Sequence, residues 1–265
     1  MNRPIDPHPH DRISFRFPTV PPGSGETAQQ RAERRQRLMV LGSLASGLAH
    51  EIKNPLSTMK LNLQLLQTDW KDADSDKEKR TARKLGVLMD EVRRLEKILE
   101  EFLAFARGNE LDMQLADIGQ LVKEVADFVE PELTAAQPRI TLWSSARAGE
   151  LPRIAVDTDK LRQALLNLII NARQAMEETG GELIIEVYRD GDEVKIEVID
   201  TGPGIPAELR ERVFEAYFST KRGGTGLGLP TVRRIVEEHG GRLMMQSEPG
   251  KGTQFVICLP IRREV

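Results

Sequence analysis

The chain has 265 residues, 39% apolar and 30% charged, with 38 basic against 41 acidic side chains and a formal charge of −3. That length supports two ordinary domains with packed cores, and the balanced charge gives no drive toward nucleic acid or an anionic membrane surface. The longest apolar stretch, Leu38 to Ala49, is too short to insert into a membrane, and the N-terminus lacks a basic-then-apolar signal pattern. One cysteine, Cys258, excludes an internal disulfide framework and suits a reducing compartment, so a cytoplasmic protein is expected.

Residues 1–26 hold six of the fifteen prolines without apolar periodicity and read as a disordered leader. Residues 27–108 read as a helical hairpin: one helix from Thr27 to about Trp70, a second from Lys77 to Arg107, and a polar loop over Asp69 to Lys79. Leu38, Leu41, Ala45, Leu48, Ile52, Pro55 and Met59 recur with heptad spacing, as do Leu85, Leu88, Val92, Leu95, Leu99, Phe102 and Ala106. Neither helix can bury its stripe alone, so two chains are expected to close a four-helix bundle as a homodimer. With Ala45 and Ile52 at a positions and Leu48 at d, His50 falls at f and points to solvent. It is a poor core residue, well placed to be used chemically. Pro55 should bend or loosen the helix just beyond it, and Gly108-Asn109 should open a linker over residues 109–116.

Residues 117–262 read as a second domain. Ile118 to Val129 is expected to be helical, Ile140 to Trp143 a short strand, and Asp157 to Glu178 a capped amphipathic helix. Glu182 to Tyr188 and Glu193 to Ile199 alternate around Asp190-Gly191, a hairpin signal. Pro230 to His239 reads as a helix stopped by Gly240-Gly241, and Arg242 to Gln246 and Thr253 to Leu259 as a second hairpin. His239 reads as a favourable cation at a helix end or a surface residue. The expected fold is α+β: an antiparallel helical hairpin forming a dimeric bundle, then an α/β sandwich with helices on one face of its sheet.

Three patterns in this domain converge on one chemistry. Asn167, Asn171 and Gln174 form a polar stripe on the Asp157 helix, beside the apolar Leu161, Leu165, Leu168, Ala172 and Met176. Carboxamides there can offer oxygen to Mg²⁺ and donors to phosphate. Asp200-Thr201-Gly202-Pro203-Gly204-Ile205-Pro206 follows a strand, where a carboxylate can accept from an exocyclic amine and glycines let a flat base approach. Gly223-Gly224-Thr225-Gly226-Leu227-Gly228-Leu229 leads into a helix whose N–H groups suit a polyphosphate. It lacks the ending of a P-loop and the setting of a Rossmann fingerprint. Alone each pattern is weak; their order, ahead of Gly252-Thr253, is specific.

Over about residues 35–262 the sequence resembles the sensor histidine kinases of two-component signalling. His50-Glu51-Ile52-Lys53-Asn54-Pro55-Leu56 is similar to the family's H box, Asn167 to Ala172 to the N box and Asp200 to Pro206 to the G1 box. Phe214 to Lys221 is similar to the F box and Gly224 to Leu229 to the G2 box; the short lid and the Gly-Leu-Gly-Leu-Pro ending look most like the nitrogen-regulation-type subset. The resemblance implies ATP and Mg²⁺ as cofactors and roles residue by residue. His50 would accept the γ-phosphoryl group, Glu51 would handle its proton, and Asn54 matches a position tied to phosphatase activity toward the partner. Asn171 would coordinate Mg²⁺, with Asn167 supporting the phosphates. Asp200 would bind the adenine amine near Thr253, and Gly202 and Gly204 would shape the base pocket. Gly224, Thr225, Gly226, Leu227 and Gly228 would hold the phosphates under a mobile lid of about Ala207 to Gly223, where Lys221 would be either a phosphate contact or a solvated lid lysine. The implied partner is the receiver domain of a response regulator. Gln174 stands where many members carry a basic residue, which puts one phosphate contact in doubt. No sensor domain is legible before Leu38, so the chain is either a catalytic fragment or takes its signal from a separate sensor protein. A clamp-type ATPase of the wider superfamily would not need an exposed histidine on a dimerising hairpin. A docking module without catalysis would not need Asn171, Asp200 and the Gly224 loop.

Overall fold

The computed structural model describes residues 52–68, 76–106, 111–146, 151–221 and 224–262. The expectations for the leader, the start of the first helix, His50, Glu51 and the linker's first residues lie outside them. Two compact units emerge, one holding residues 111–215 and 228–262, the other holding the helices between 52 and 106 together with residues 216–227.

In the helical unit, α1 covers residues 52–68 and α2 covers Asp76–Ala106. They form the expected hairpin, packed through Leu56, Leu63, Val92 and Leu99 and braced by Lys60 Nζ to Glu96 Oε2 at 2.7 Å. α1 runs on through Pro55, whose neighbours Asn54 and Thr58 share a hydrogen bond from the Thr58 hydroxyl to the Asn54 carbonyl, 3.1 Å. The heptad stripe splits in two. Leu85, Val92 and Leu99 are buried, whereas Ile52, Met59, Leu66, Leu88 and Leu95 are exposed in this single chain.

The second unit is one five-stranded sheet under three helices. Its elements are β1 (Gln114–Ala116), α3 (Ile118–Ala135), β2 (Ile140–Ala146), β3 (Ile154–Val156), α4 (Thr158–Ala175), β4 (Gly181–Asp190), β5 (Glu193–Asp200), α5 (Gly228–Glu238), β6 (Arg242–Glu248) and β7 (Gly252–Pro260). The sheet order is β2-β4-β5-β7-β6, with β2 parallel to β4 and the other pairs antiparallel. Leu183, Ile185 and Val187 of β4, Val194, Ile196 and Val198 of β5, and Phe255, Ile257 and Leu259 of β7 alternate onto one face. They meet the apolar sides of α3, α4 and α5 in a single core, the two-layer arrangement that a one-sided sheet requires. Residues 114–116, read from sequence as linker, pair as β1 with β3, with Leu115 opposite Ala155.

Helix starts follow their caps. Asp117 and Asp157 sit in extended backbone just before α3 and α4, and their carboxylates accept from the N–H groups of Gln120 and Lys160, each at 3.0 Å. Among the described residues, no helix is long and apolar enough to cross a membrane.

Candidate functional site

The nucleotide-type residues of the second unit gather where α4, the start of α5 and the ends of β5 and β7 meet. Leu161, Ala164, Leu165, Leu168, Ile169 and Ala172 of α4 are buried. That burial leaves Asn167, Asn171 and Gln174 half-buried along the other side of the helix. Gly228, the first residue of α5, lies against this stripe: a Cβ there would stand 3.6 Å from Asn171 Nδ2. Asn171 is thereby set beside a helix N-terminus, where N–H groups and the helix dipole favour an anion.

Asp200 ends β5 on the core-facing side and is buried. Its Oδ1 accepts from the Gly202 N–H at 2.9 Å. It faces Thr253 across the β5–β7 pairing, and Thr253 faces Ser247 across β6–β7. One row across three strands therefore carries Asp200, Thr253 and Ser247, where the same face carries Val198, Phe255 and Met245 one step earlier. The polar row marks where the apolar face of the sheet stops.

Ser247, which the sequence reading missed, stands among these candidate site residues. Its Oγ accepts from the Ile205 N–H at 2.7 Å, donates to the Gly252 carbonyl at 2.9 Å and lies 2.9 Å from Thr253 Oγ1. It fastens the Asp200–Pro206 loop to the β6–β7 turn. Its signal in sequence was a serine on the core-facing parity of β6, legible only once the register is known.

Two glycines here are compulsory. Gly252 has φ +103°, and a Cβ on it would fall 1.9 Å from the Asp200 carbonyl oxygen. Gly204 has φ +72°, and its Cβ would fall 2.2 Å from the Glu248 carbonyl. Both pair a left-handed backbone with a filled side-chain position, so no other residue fits without moving the loop.

Residues 216–221 and 224–227 belong to a pinched loop. The Tyr217 N–H donates to the Gly226 carbonyl at 3.1 Å, and a Cβ on Gly226 would come within 2.5 Å of the Tyr217 carbonyl carbon. Tyr217 has φ +67°, a strained value for an aromatic residue. Inside the loop the Lys221 N–H donates to Ser219 Oγ at 3.1 Å, the Gly224 N–H to the Lys221 carbonyl at 3.2 Å, and the Leu227 N–H to Thr225 Oγ1 at 3.4 Å. Lys221, Gly224, Thr225, Gly226 and Leu227 are thus brought together. Just before the loop, buried Phe214 packs edge-on against Phe255, ring centroids 6.4 Å apart, with the Arg233 guanidinium 4.7 Å from its centroid.

His239 requires a correction. It is neither a surface residue nor a helix-end cation but is buried, with 2% exposure. Its Nδ1 lies 2.7 Å from the Ile235 carbonyl and its Nε2 accepts from the Asp157 N–H at 2.9 Å. A carbonyl can only accept, so Nδ1 carries the proton and Nε2 is bare: the ring is neutral. Asn54 lies on the exposed side of α1.

Residues 156–263 match the family described as histidine kinase-, DNA gyrase B- and HSP90-like ATPases, and residues 40–111 match the His Kinase A (phospho-acceptor) domain. A sensor histidine kinase ZraS of Klebsiella oxytoca is 38% identical over 240 residues, covering 90% of this chain and 50% of that protein. Sporulation kinase E of Bacillus subtilis is 32% identical over 89% of this chain and 30% of its own length. The chain thus spans half or less of the length of these relatives. Among solved structures, full-length ShkA in complex with AMPPNP superposes with TM-score 0.69 at 28% identity, covering 84% of this chain and 46% of that one. The histidine kinase ThkA in complex with the response regulator TrrA gives TM-score 0.62 at 28% identity, covering 88% and 65%.

Proposed function

This chain belongs to the sensor histidine kinases of two-component signalling, and we propose that it phosphorylates its own His50 from ATP and passes the group to an aspartate of a response-regulator receiver domain. The observation that carries this reading is the joint placement of Asn171 beside the α5 N-terminus and of buried Asp200 in the polar row with Thr253. The relatives add support: ShkA was solved with AMPPNP and ThkA with a response regulator.

In this mechanism Asp200, with its Oδ1 oriented by Gly202, accepts from the adenine amine. Gly228 and the loop Gly224–Leu227 offer backbone N–H groups to the phosphates, with Asn167 and Lys221 as further contacts. Gln174 completes the polar stripe without a positive charge. Among the described residues, Asn171 is the protein ligand offered to Mg²⁺. A lone carboxamide oxygen fits that ion, which prefers substrate phosphates and water to a full protein cage. When bound, Mg²⁺ neutralises charge on the transferring phosphoryl group. An imidazole nitrogen of His50 attacks the γ-phosphorus, the bond to ADP breaks, and Glu51 takes the ring proton. A neutral imidazole is a competent nucleophile at neutral pH. The phosphoryl group then moves from His50 to the receiver aspartate, and Asn54 supports its later hydrolysis by water.

The exposed heptad residues Ile52, Met59, Leu66, Leu88 and Leu95 supply a face for a second copy, so the working form is a homodimer. We place it in the cytoplasm, in the nitrogen-regulation-type subset, with its signal arriving from another domain or protein. Incubation with γ-labelled ATP and Mg²⁺ tests the reading. Wild type should acquire an acid-labile, alkali-stable label that His50→Gln and Asn171→Ala lack. Steady ATP hydrolysis by unlabelled protein would instead identify a clamp-type ATPase.

A further inference from the structure

The sheet of the second unit has a second face. Helices α3, α4 and α5 pack their apolar sides on the face that carries Leu183, Ile185 and Ile257. On the other face β4, β5 and β7 present Ile184 and Glu186, Glu197 and Ile199, and Val256 and Cys258. A sheet face open to water leaves such side chains partly wet. Here Glu186 and Cys258 are 0% exposed, Val256 1% and Glu197 6%. Burial fades toward the edges of the same face: Trp143 of β2 is 46% exposed and Met244 of β6 is half-buried. The dry strip is therefore narrow. Three strands at a spacing of about 4.8 Å span about 10 Å, and Gln254 to Cys258 run about 13 Å. Those dimensions suit one stretch of extended chain and fall far short of the roughly 800 Å² that each folded partner buries in a stable interface.

Charge narrows the choice of occupant. Glu186 and Glu197 stand directly opposite each other in the β4–β5 pairing. Like charges so placed and so buried call for a compensating cation. A guanidinium, with its planar fork of N–H donors, can serve two carboxylates at once. The leader, residues 1–26, carries Arg12 and Arg16 interleaved with Ile13, Phe15 and Phe17. Arg12 to Phe17 spans about 20 Å when extended, enough to cross the strip along or across the strands. We propose that this stretch docks on the outer face of the sheet, with an arginine at the Glu186–Glu197 pair and its apolar side chains on Ile184, Ile199 and Val256. A composition too polar to fold alone is no bar to ordering on a surface that is already built. Asp200 and Thr253 belong to the opposite face, so the docked leader leaves the candidate nucleotide residues uncovered.

Cys258 is the single cysteine of the chain and lies in the strip, so its alkylation rate reads the cover. In the full chain under native conditions it should react slowly, at a rate independent of protein concentration. Arg12→Glu combined with Arg16→Glu should speed the reaction at least about tenfold, as should Phe15→Ser combined with Phe17→Ser, while thermal melting stays cooperative. A second measurement needs no disruptive change: photoreactive benzoylphenylalanine in place of Phe15 should crosslink to peptides of β4, β5 or β7. If the leader variants lose their cooperative melt, the crosslink decides alone. Labelling that is unchanged in both folded variants would overturn the proposal, as would crosslinks that fall only outside these strands. Protection that rises with protein concentration would also overturn it, by identifying a second copy as the cover.

Discussion

The two units of this chain solve the same problem, burial of an apolar face, to different degrees. The sheet unit closes its core within one chain: Leu161, Leu165, Leu168, Leu183, Ile196, Val232 and Ile257 are all at most 1% exposed. The hairpin closes only half of its stripe. Leu56, Val92 and Leu99 are buried, but Met59 is 54% exposed, Leu88 53% and Leu95 43%. The proposed homodimer would cover these exposed apolar residues. On the proposed function this contrast is a division of labour: the self-sufficient unit would bind nucleotide in one chain, whereas the hairpin would be completed by a second copy.

The contrast can be broken from either side. The largest expected effect is on assembly. Leu88→Glu combined with Leu95→Glu places two charges on the exposed stripe and should turn a dimer into a monomer, read as a halved mass by sedimentation. Next is the closed core. Leu168→Ala should lower unfolding free energy by about 2–5 kcal/mol in denaturant titration while the mass stays that of the dimer. Gly252→Ala forces a side chain against the Asp200 carbonyl at a left-handed φ; about 1–3 kcal/mol of strain and a clear loss of nucleotide binding are expected, with the dimer intact. Asp157→Ala removes the α4 cap and should cost about 1 kcal/mol. The smallest effect concerns Cys258, whose burial pushes its thiol pKa up. The thiol stays neutral in the fold, so it should resist alkylation at pH 8 and react once urea exposes it.

Much of this was legible in the sequence because it is local. Cap residues Asp117 and Asp157, the Asp190-Gly191 turn and the period of the α4 stripe announce themselves within a few positions. The glycine-rich segments are equally local, since each needs backbone freedom where it stands. What escaped was non-local. β1 and β3 have three residues each, too few to show a period, and exist only by pairing with each other across about 40 positions. The parallel β2–β4 contact spans a whole helix, and Ser247 gains its role only from the register with Thr253. His239 was misread because its partner, the Asp157 N–H, lies 82 residues away. The left-handed Tyr217 follows from closure onto Gly226 and has no signature in composition.

The division between an incomplete and a complete unit is tested most directly by sedimentation and thermal melting of the two pieces, residues 27–110 and 111–265, over a hundredfold range of concentration. The account predicts that the hairpin piece sediments as a dimer whose melting temperature rises with concentration. The sheet piece should stay a monomer with a constant melting temperature and bind ATP. A hairpin that melts as a stable monomer, or a sheet piece that does not fold alone, would contradict it.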